Sequence, residues 1–277
     1  MGSGGTVSLP RPFCNCDNCA KARERGIPWA RTGPSLFVEE ESILFDTPEE
    51  VRLQIEREQI AQIDHVFYTH WHPDHTQGVR IFEHMNFTHP SEPSKKATNI
   101  YIPQKDIRAF QGNCPTLFFY EKKGYVKIHT VNDRTPIRIG RVMVSPLDFR
   151  RQDRTRYGYL IEEDGKRVVY APCSVYGLFL DEYYDNLDLL VIEIGWFGDT
   201  AQVRSELPKD HVCQDHISFE ENLEIIRKIG PKKTILTHID GTRHLKRDGD
   251  HDFLLERTQE LAGLNLLVGY DGLRTEI

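Results

Sequence analysis

Apolar and polar positions along this chain change places in short runs set off by turn-forming residues, a pattern that predicts strands and helices in alternation. Residues 35–38 and 42–46 are apolar segments parted by Glu39, Glu40 and Glu41, which predicts a hairpin with a solvated turn. Thr47-Pro48-Glu49-Glu50 predicts a helix start, with Thr47 as cap, Pro48 in the first turn and Glu50 at the capping-box position. Val51, Leu53, Ile55 and Ile60 would form its apolar face. Residues 63–69 read as a buried strand, 78–84 as a short helix and 88–98, with Pro90 and Pro93, as a loop. Strands are expected at 125–131 and 136–147 around a turn at Asn132-Asp133-Arg134. A second hairpin joins 157–162 to 167–171 through Glu163-Asp164-Gly165-Lys166. The run 187–194 has the continuous apolar character of a central strand. Ser218-Phe219-Glu220-Glu221 starts a helix by capping-box logic, with Leu223, Ile226 and Ile229 facing inward. Gly230-Pro231 stops that helix before a strand at 234–237. Strands followed by helices in two half-chains predict an α/β fold, a four-layer αββα sandwich, with residues 1–277 forming one domain.

Composition narrows the class without naming a function. Hydrophobic residues make up 39% and charged residues 28% of 277 positions, the balance of a globular protein with its own core. No apolar run is long enough for a membrane span and no leader pattern is present, so a cytoplasmic location is the expectation. A formal charge of −7 argues against general affinity for a nucleic acid backbone; a small molecule is the expected partner, with a homodimer left open. Three of the six cysteines fall between positions 14 and 19, a crowding that suits metal better than a disulfide framework.

The chemistry concentrates in His70-Trp71-His72-Pro73-Asp74-His75, directly after the buried strand at 63–69. Imidazole nitrogens and a carboxylate on a strand-end loop suit zinc, manganese or iron, and Pro73 fixes the turn. This pattern, in this context, resembles the metallo-β-lactamase-fold hydrolases. Gly2-Ser3-Gly4-Gly5-Thr6 resembles the family's early glycine turn, 43–47 its strand-then-Asp segment, and Thr237-His238-Ile239 its late histidine. Cys14-Asn15-Cys16-Asp17-Asn18-Cys19 is similar to the phosphodiesterase branch typified by the carbon–phosphorus lyase accessory protein, which carries a structural zinc site.

The resemblance implies two divalent metal ions, zinc favoured and manganese or iron admissible. His70 and His72 would hold the first, and Asp74, His75 and His238 the second. Two positions depart from the family. Cys173 stands where the phosphodiesterases place a bridging aspartate, and a thiolate there favours zinc or iron over manganese; the β-lactamases of the superfamily also present a cysteine at this point. No histidine stands where 145–149 ends, which leaves Asp148 as the nearest substitute ligand. His216 resembles a histidine that contacts phosphate and protonates the leaving oxygen, and Asp74 would orient the attacking hydroxide. Trp196-Phe197-Gly198-Asp199 reads equally as an aromatic wall or a packed loop end, whereas His211, His244 and His251 read as surface histidines.

Cys14, Cys16 and Cys19 form a three-thiolate clip for one structural zinc, with Asp240 or His244 as fourth ligand where the branch has a histidine and this chain has Gly241; an empty remnant is the alternative. The expected function is metal-dependent hydrolysis of a small, cyclic-nucleotide-like or sugar phosphate diester by metal-activated hydroxide. Its rivals are hydrolysis of a lactone, thioester or lactam, which Cys173 favours, and ligand binding without turnover, which the missing histidine favours.

Overall fold

A computed structural model describes residues 1–89, 96–149, 155–198, 205, 216–241 and 249–277. Its strands form two sheets. The first runs β1 (Leu36–Val38), β2 (Ile43–Phe45), β3 (His65–Phe67), β4 (Thr98–Pro103) and β5 (Val126–Val131), antiparallel only at its first pair. The second runs, also in chain order, through β6 (Ile137–Ile139), β7 (Val142–Asp148), β8 (Tyr157–Glu163), β9 (Lys166–Ala171), β10 (Leu189–Glu193), β11 (Lys233–Thr237) and β12 (Leu266–Val268). It is antiparallel up to β9 and parallel from there on.

Side-chain alternation builds the layers. Along a strand, neighbours point to opposite faces. Ile43, Phe45 and Phe67 face the second sheet and meet Tyr159, Tyr170, Val191 and Ile235 in one buried cluster. Leu44, Val66 and Ile100 face the other way, onto Val51 of helix α2 (Val51–Glu58) and Phe82, Phe110 and Leu117. On the far side, Leu160, Val169, Leu190 and Leu236 pack beneath Leu223 and Ile226, and Leu254 joins the same cluster. Helices thus cover both outer faces, and the chain is the four-layer α/β sandwich its pattern predicts.

Local expectations fare unevenly. The capping box at Ser218 forms: Ser218 Oγ accepts from Glu221 N at 3.1 Å and Glu221 Oε2 accepts from Ser218 N at 2.8 Å, opening the helix Phe219–Ile229. Thr47, by contrast, does not cap. Its hydroxyl is buried against Tyr68 Oη at 2.7 Å, and α2 starts at Val51 after Glu50. Leu53 is 53% exposed and leaves the inward face to Val51, with Ile55 and Ile60 packed partly against the core. The expected strand 136–147 breaks at Gly140, whose φ of 53° ends β6 and starts β7. The turn after β5 carries the chain between sheets rather than closing a hairpin. His251 is buried at the start of the helix His251–Gln259, where its Nδ1 accepts from Arg31 Nη2 at 3.0 Å. No helix among the described residues is long and apolar enough to cross a membrane.

The Ser218 cap satisfies a backbone N–H that the helix cannot, so Ser218→Ala should lower stability by about 1 kcal/mol, read as a fall in thermal or urea midpoint.

Candidate metal centre

The centre is built where parallel strands end. β2 stops at Phe45 and delivers Asp46; β3 stops at Phe67 and delivers the loop 68–75. β9 precedes Cys173, β10 ends on Glu193 and β11 precedes His238. Such strand ends open into the crevice where α/β sheets bind ligands. Three non-glycine residues here adopt left-handed backbone, Asp46 at φ 61°, Ser174 at 57° and His238 at 55°, the kind of strain that surrounding structure must hold in place.

Asp46 organises the loop. Its Oδ1 accepts from Thr69 N at 2.9 Å, and its Oδ2 accepts from His75 Nδ1 at 2.8 Å. That bond leaves His75 Nε2 as the nitrogen presented to the centre. Thr69 Oγ1 lies 3.0 Å from His70 Nδ1 and turns that ring likewise, so that His70 Nε2 lies 4.0 Å from Cys173 Sγ. The early glycines close over the opposite side: a Cβ at Gly5 would sit 2.8 Å from His238 Nδ1, so only glycine lets the N-terminal segment pass.

Three atoms then meet. Asp74 Oδ2 stands 3.4 Å from both His75 Nε2 and His238 Nε2, longer than a good hydrogen bond, and none of the three buried atoms has a hydrogen-bond partner. Buried polar atoms are nearly always paired, so an orphaned trio of metal-ligand type fits a cation. Cys173 extends the set through two further groupings, one with His70 and His75 and one with His216 and His238, the ligand atoms of each grouping lying within 4.8 Å of one another. Nitrogen, oxygen and sulfur donors in this proportion fit zinc.

Electrostatics agree. Burial opposes the Cys173 thiolate, yet His238 beside it brings the thiol down to about 6. Burial also opposes charge on His75 and His238, but Asp74 with Asp46, and Cys173 with Asp74, hold them well above the usual imidazole range. A bound cation displaces those protons. His216 bonds through Nδ1 to the Glu193 carboxylate; burial works against its charge, and Glu193 prevails, raising it to about 9.

Of the residues expected to hold metal, His70, Asp74, His75, Cys173 and His238 come together, and His216 joins them at ligand distance. His72 and Asp148 do not. Arg156 Nη2 donates to His72 Nε2 at 3.1 Å, and Lys105 Nζ lies 2.5 Å from Asp148 Oδ2. Trp196 is buried near His216, with ring centroids 6.5 Å apart, whereas Phe197 stacks on Phe219 in the core. Asp199, His211 and His244 lie outside the described residues. Sequence reasoning passed over Glu193, which the acid-punctuated apolar run 187–194 contains, and Arg156, which no motif marks.

The clip assembles too. Cys14, Cys16 and Cys19 lie within 4.8 Å of one another, and Cys16 precedes helix α1 (Asp17–Arg25). Among the described residues no fourth ligand joins them; Asp240 Oδ1 instead accepts from Val7 N at 2.8 Å.

The sequence model of the Beta-lactamase superfamily domain matches residues 41–239, most of the chain. This chain belongs to that superfamily. Solved structures of superfamily fold lie alongside it over its whole length. A diphosphatase from the PhnP family is 22% identical, with TM-score 0.72 and 95% of its chain covered. Zn(2+)-bound PqqB from Methylobacterium extorquens is 16% identical, with TM-score 0.73 and 98% covered. Human tRNase Z, short form, is 18% identical, with TM-score 0.63 and 97% covered. At these identities the likeness concerns the fold. A comparison with the curated proteins gives no match. Superfamily members are mostly metal-dependent hydrolases that bind divalent ions, and the donor set here fits that chemistry.

Asp46 enters none of the ligand groupings among the described residues, yet its bond to Nδ1 fixes His75. Asp46→Ala should therefore weaken zinc affinity by about 10–100-fold, measured by competition with a chromophoric chelator.

Proposed function

We propose that this superfamily member is a metal-dependent hydrolase of small phosphate diesters, with zinc held by Asp74, His75, Cys173 and His238. The observation that carries the reading is the orphaned trio of Asp74 Oδ2, His75 Nε2 and His238 Nε2, set beside the Cys173 thiol. When bound, a divalent ion supplies Lewis acidity and brings the pKa of water near neutrality.

The chain's own groups supply the rest. Asp74 holds its buried carboxylate toward the reacting water and orients it. His216, raised to about 9 against the cost of burial by Glu193, carries a proton at pH 7. Glu193 holds Nδ1, so the proton on Nε2 is the one that passes to the leaving oxygen. Arg156 adds a permanent positive charge beside His72, and a guanidinium matches phosphoryl oxygens well. The fold likeness to a PhnP-family diphosphatase supports the choice of a phosphorus–oxygen bond. The formal charge of −7 supports a small ester over a polyanion.

Cys173 favours a second reading, a carbonyl hydrolase acting on a lactone, thioester or lactam, because a thiolate among the ligands echoes the lactamases. The two readings separate in one assay. Zinc-loaded protein should hydrolyse bis(4-nitrophenyl) phosphate well above its chelator-treated control and 4-nitrophenyl acetate hardly above it; the reverse ranking would establish the carbonyl reading. His216→Gln should lower kcat on the diester by about 10²–10⁴-fold with KM little changed. An unchanged kcat would remove His216 from proton transfer.

A further inference from the structure

We propose that the centre holds one divalent ion rather than two, and that the Arg156 guanidinium takes the place of the other positive charge. The inference rests on the metal-dependent reading above but not on the choice of phosphate over carbonyl.

A two-ion centre of the kind the resemblance implies needs His72 and a replacement for the missing histidine on its first ion. Neither is on offer. The Nε2 lone pair of His72 accepts a hydrogen bond from Arg156 Nη2 at 3.1 Å, and the same guanidinium donates through Nη1 to Thr155 O at 2.8 Å. Asp148, the nearest carboxylate, holds Lys105 Nζ at 2.5 Å. Among the described residues, His72 and Asp148 enter none of the ligand groupings, whereas His75, Cys173 and His238 enter two each and Asp74, His70 and His216 one each. His75 has a single nitrogen to give, because Asp46 holds the other. The remaining donors, Asp74, His75, Cys173 and His238, suffice in number for one four-coordinate ion, and His70 groups only with His75 and Cys173, donors that this ion already uses, so it founds no second site.

Charge points the same way. Arg156 is 2% exposed, and a guanidinium keeps its proton at any working pH. A permanent cation within hydrogen-bond distance of His72, shielded from water, repels a dication from that imidazole strongly. The same cation supplies at His72 the positive charge that a first metal supplies in two-metal hydrolases.

Zinc per chain, counted by elemental analysis of the full-length protein after dialysis against a zinc buffer, tests this without substrate. Asp74→Ala/His238→Ala provides the baseline, because it removes two of the four donors and keeps whatever the cysteine clip holds. Wild type should exceed that baseline by one ion, Arg156→Lys by one and Arg156→Gln by two, with Arg156→Leu as second variant should Arg156→Gln fail to give a cooperative melting transition. Two ions above baseline in wild type would overturn the proposal, as would one ion in both charge-removing variants. No ion above baseline in wild type would overturn it together with the metal-dependent reading. One ion with no diester turnover would leave it standing and defeat only the phosphate choice.

Discussion

Everything at the centre depends on the Asp46 carboxylate. It is fully buried at the end of β2, in left-handed backbone, and accepts from Thr69 N, Thr69 Oγ1 and His75 Nδ1. A buried carboxylate without such donors costs several kcal/mol, so the three bonds fix the path of the chain after β3. That path decides which nitrogen of His75 is presented, and Thr69, held by the same carboxylate, orients His70. The aromatic packing beneath gives this arrangement a rigid floor: Phe67 stacks on Tyr101 with centroids 4.2 Å apart, and Phe45 stacks on Phe67 at 5.4 Å.

The second constraint is charge balance. Asp74, Cys173 and Glu193 bring negative charge into a region where water is excluded, and His75, His216 and His238 answer it by holding protons. Such a cluster is stable only while the signs pair. A cation can replace the protons on His75 and His238 because their nitrogens converge, whereas the proton on His216 is secured by Glu193 and serves a different purpose. One buried pocket thereby separates a site for a metal from a site for an acid. This is the division of labour that paired environments with opposed pKa shifts bring about.

What could be read from the sequence was what is local. The capping box at Ser218 is a short pattern whose geometry follows from a few adjacent residues, and it forms; the run 70–75 brings His70, Asp74 and His75 together with the later donors, but not His72. Strand and helix alternation likewise carries the sandwich, since each strand advertises both of its faces. The misreadings are of long range. Thr47 has the local signature of a cap, but Tyr68, 21 positions on, claims its hydroxyl. Asp148 has the chemistry of a ligand, but Lys105, 43 positions earlier, takes it up. Arg156 meets His72 across 84 positions and between two sheets, a pairing that spacing along one sequence does not encode. Residues 107–122 lack a clear polar face, with Phe118, Phe119 and Tyr120 in succession, and so concealed two short helices.

The N-terminal segment shows why a cysteine clip accompanies a centre to which it contributes no ligand. From the clip the chain runs back through Leu9, which pairs with Arg31, and through Val7, whose N–H reaches Asp240 and whose carbonyl accepts from Gly241 N. Gly5 N donates to Ile239 O, and Ile239 N returns the bond to Ser3. Among the described residues, 239 and 241 take their backbone bonds from this segment, and Gly5 is the surface against which His238 rests. Arg31, fully buried, ties the same segment to the C-terminal side through Ser3 Oγ and Gly269 O. Cys14, Cys16 and Cys19, gathered at the far end of this stretch, therefore reach the centre only through the backbone that clamps left-handed His238.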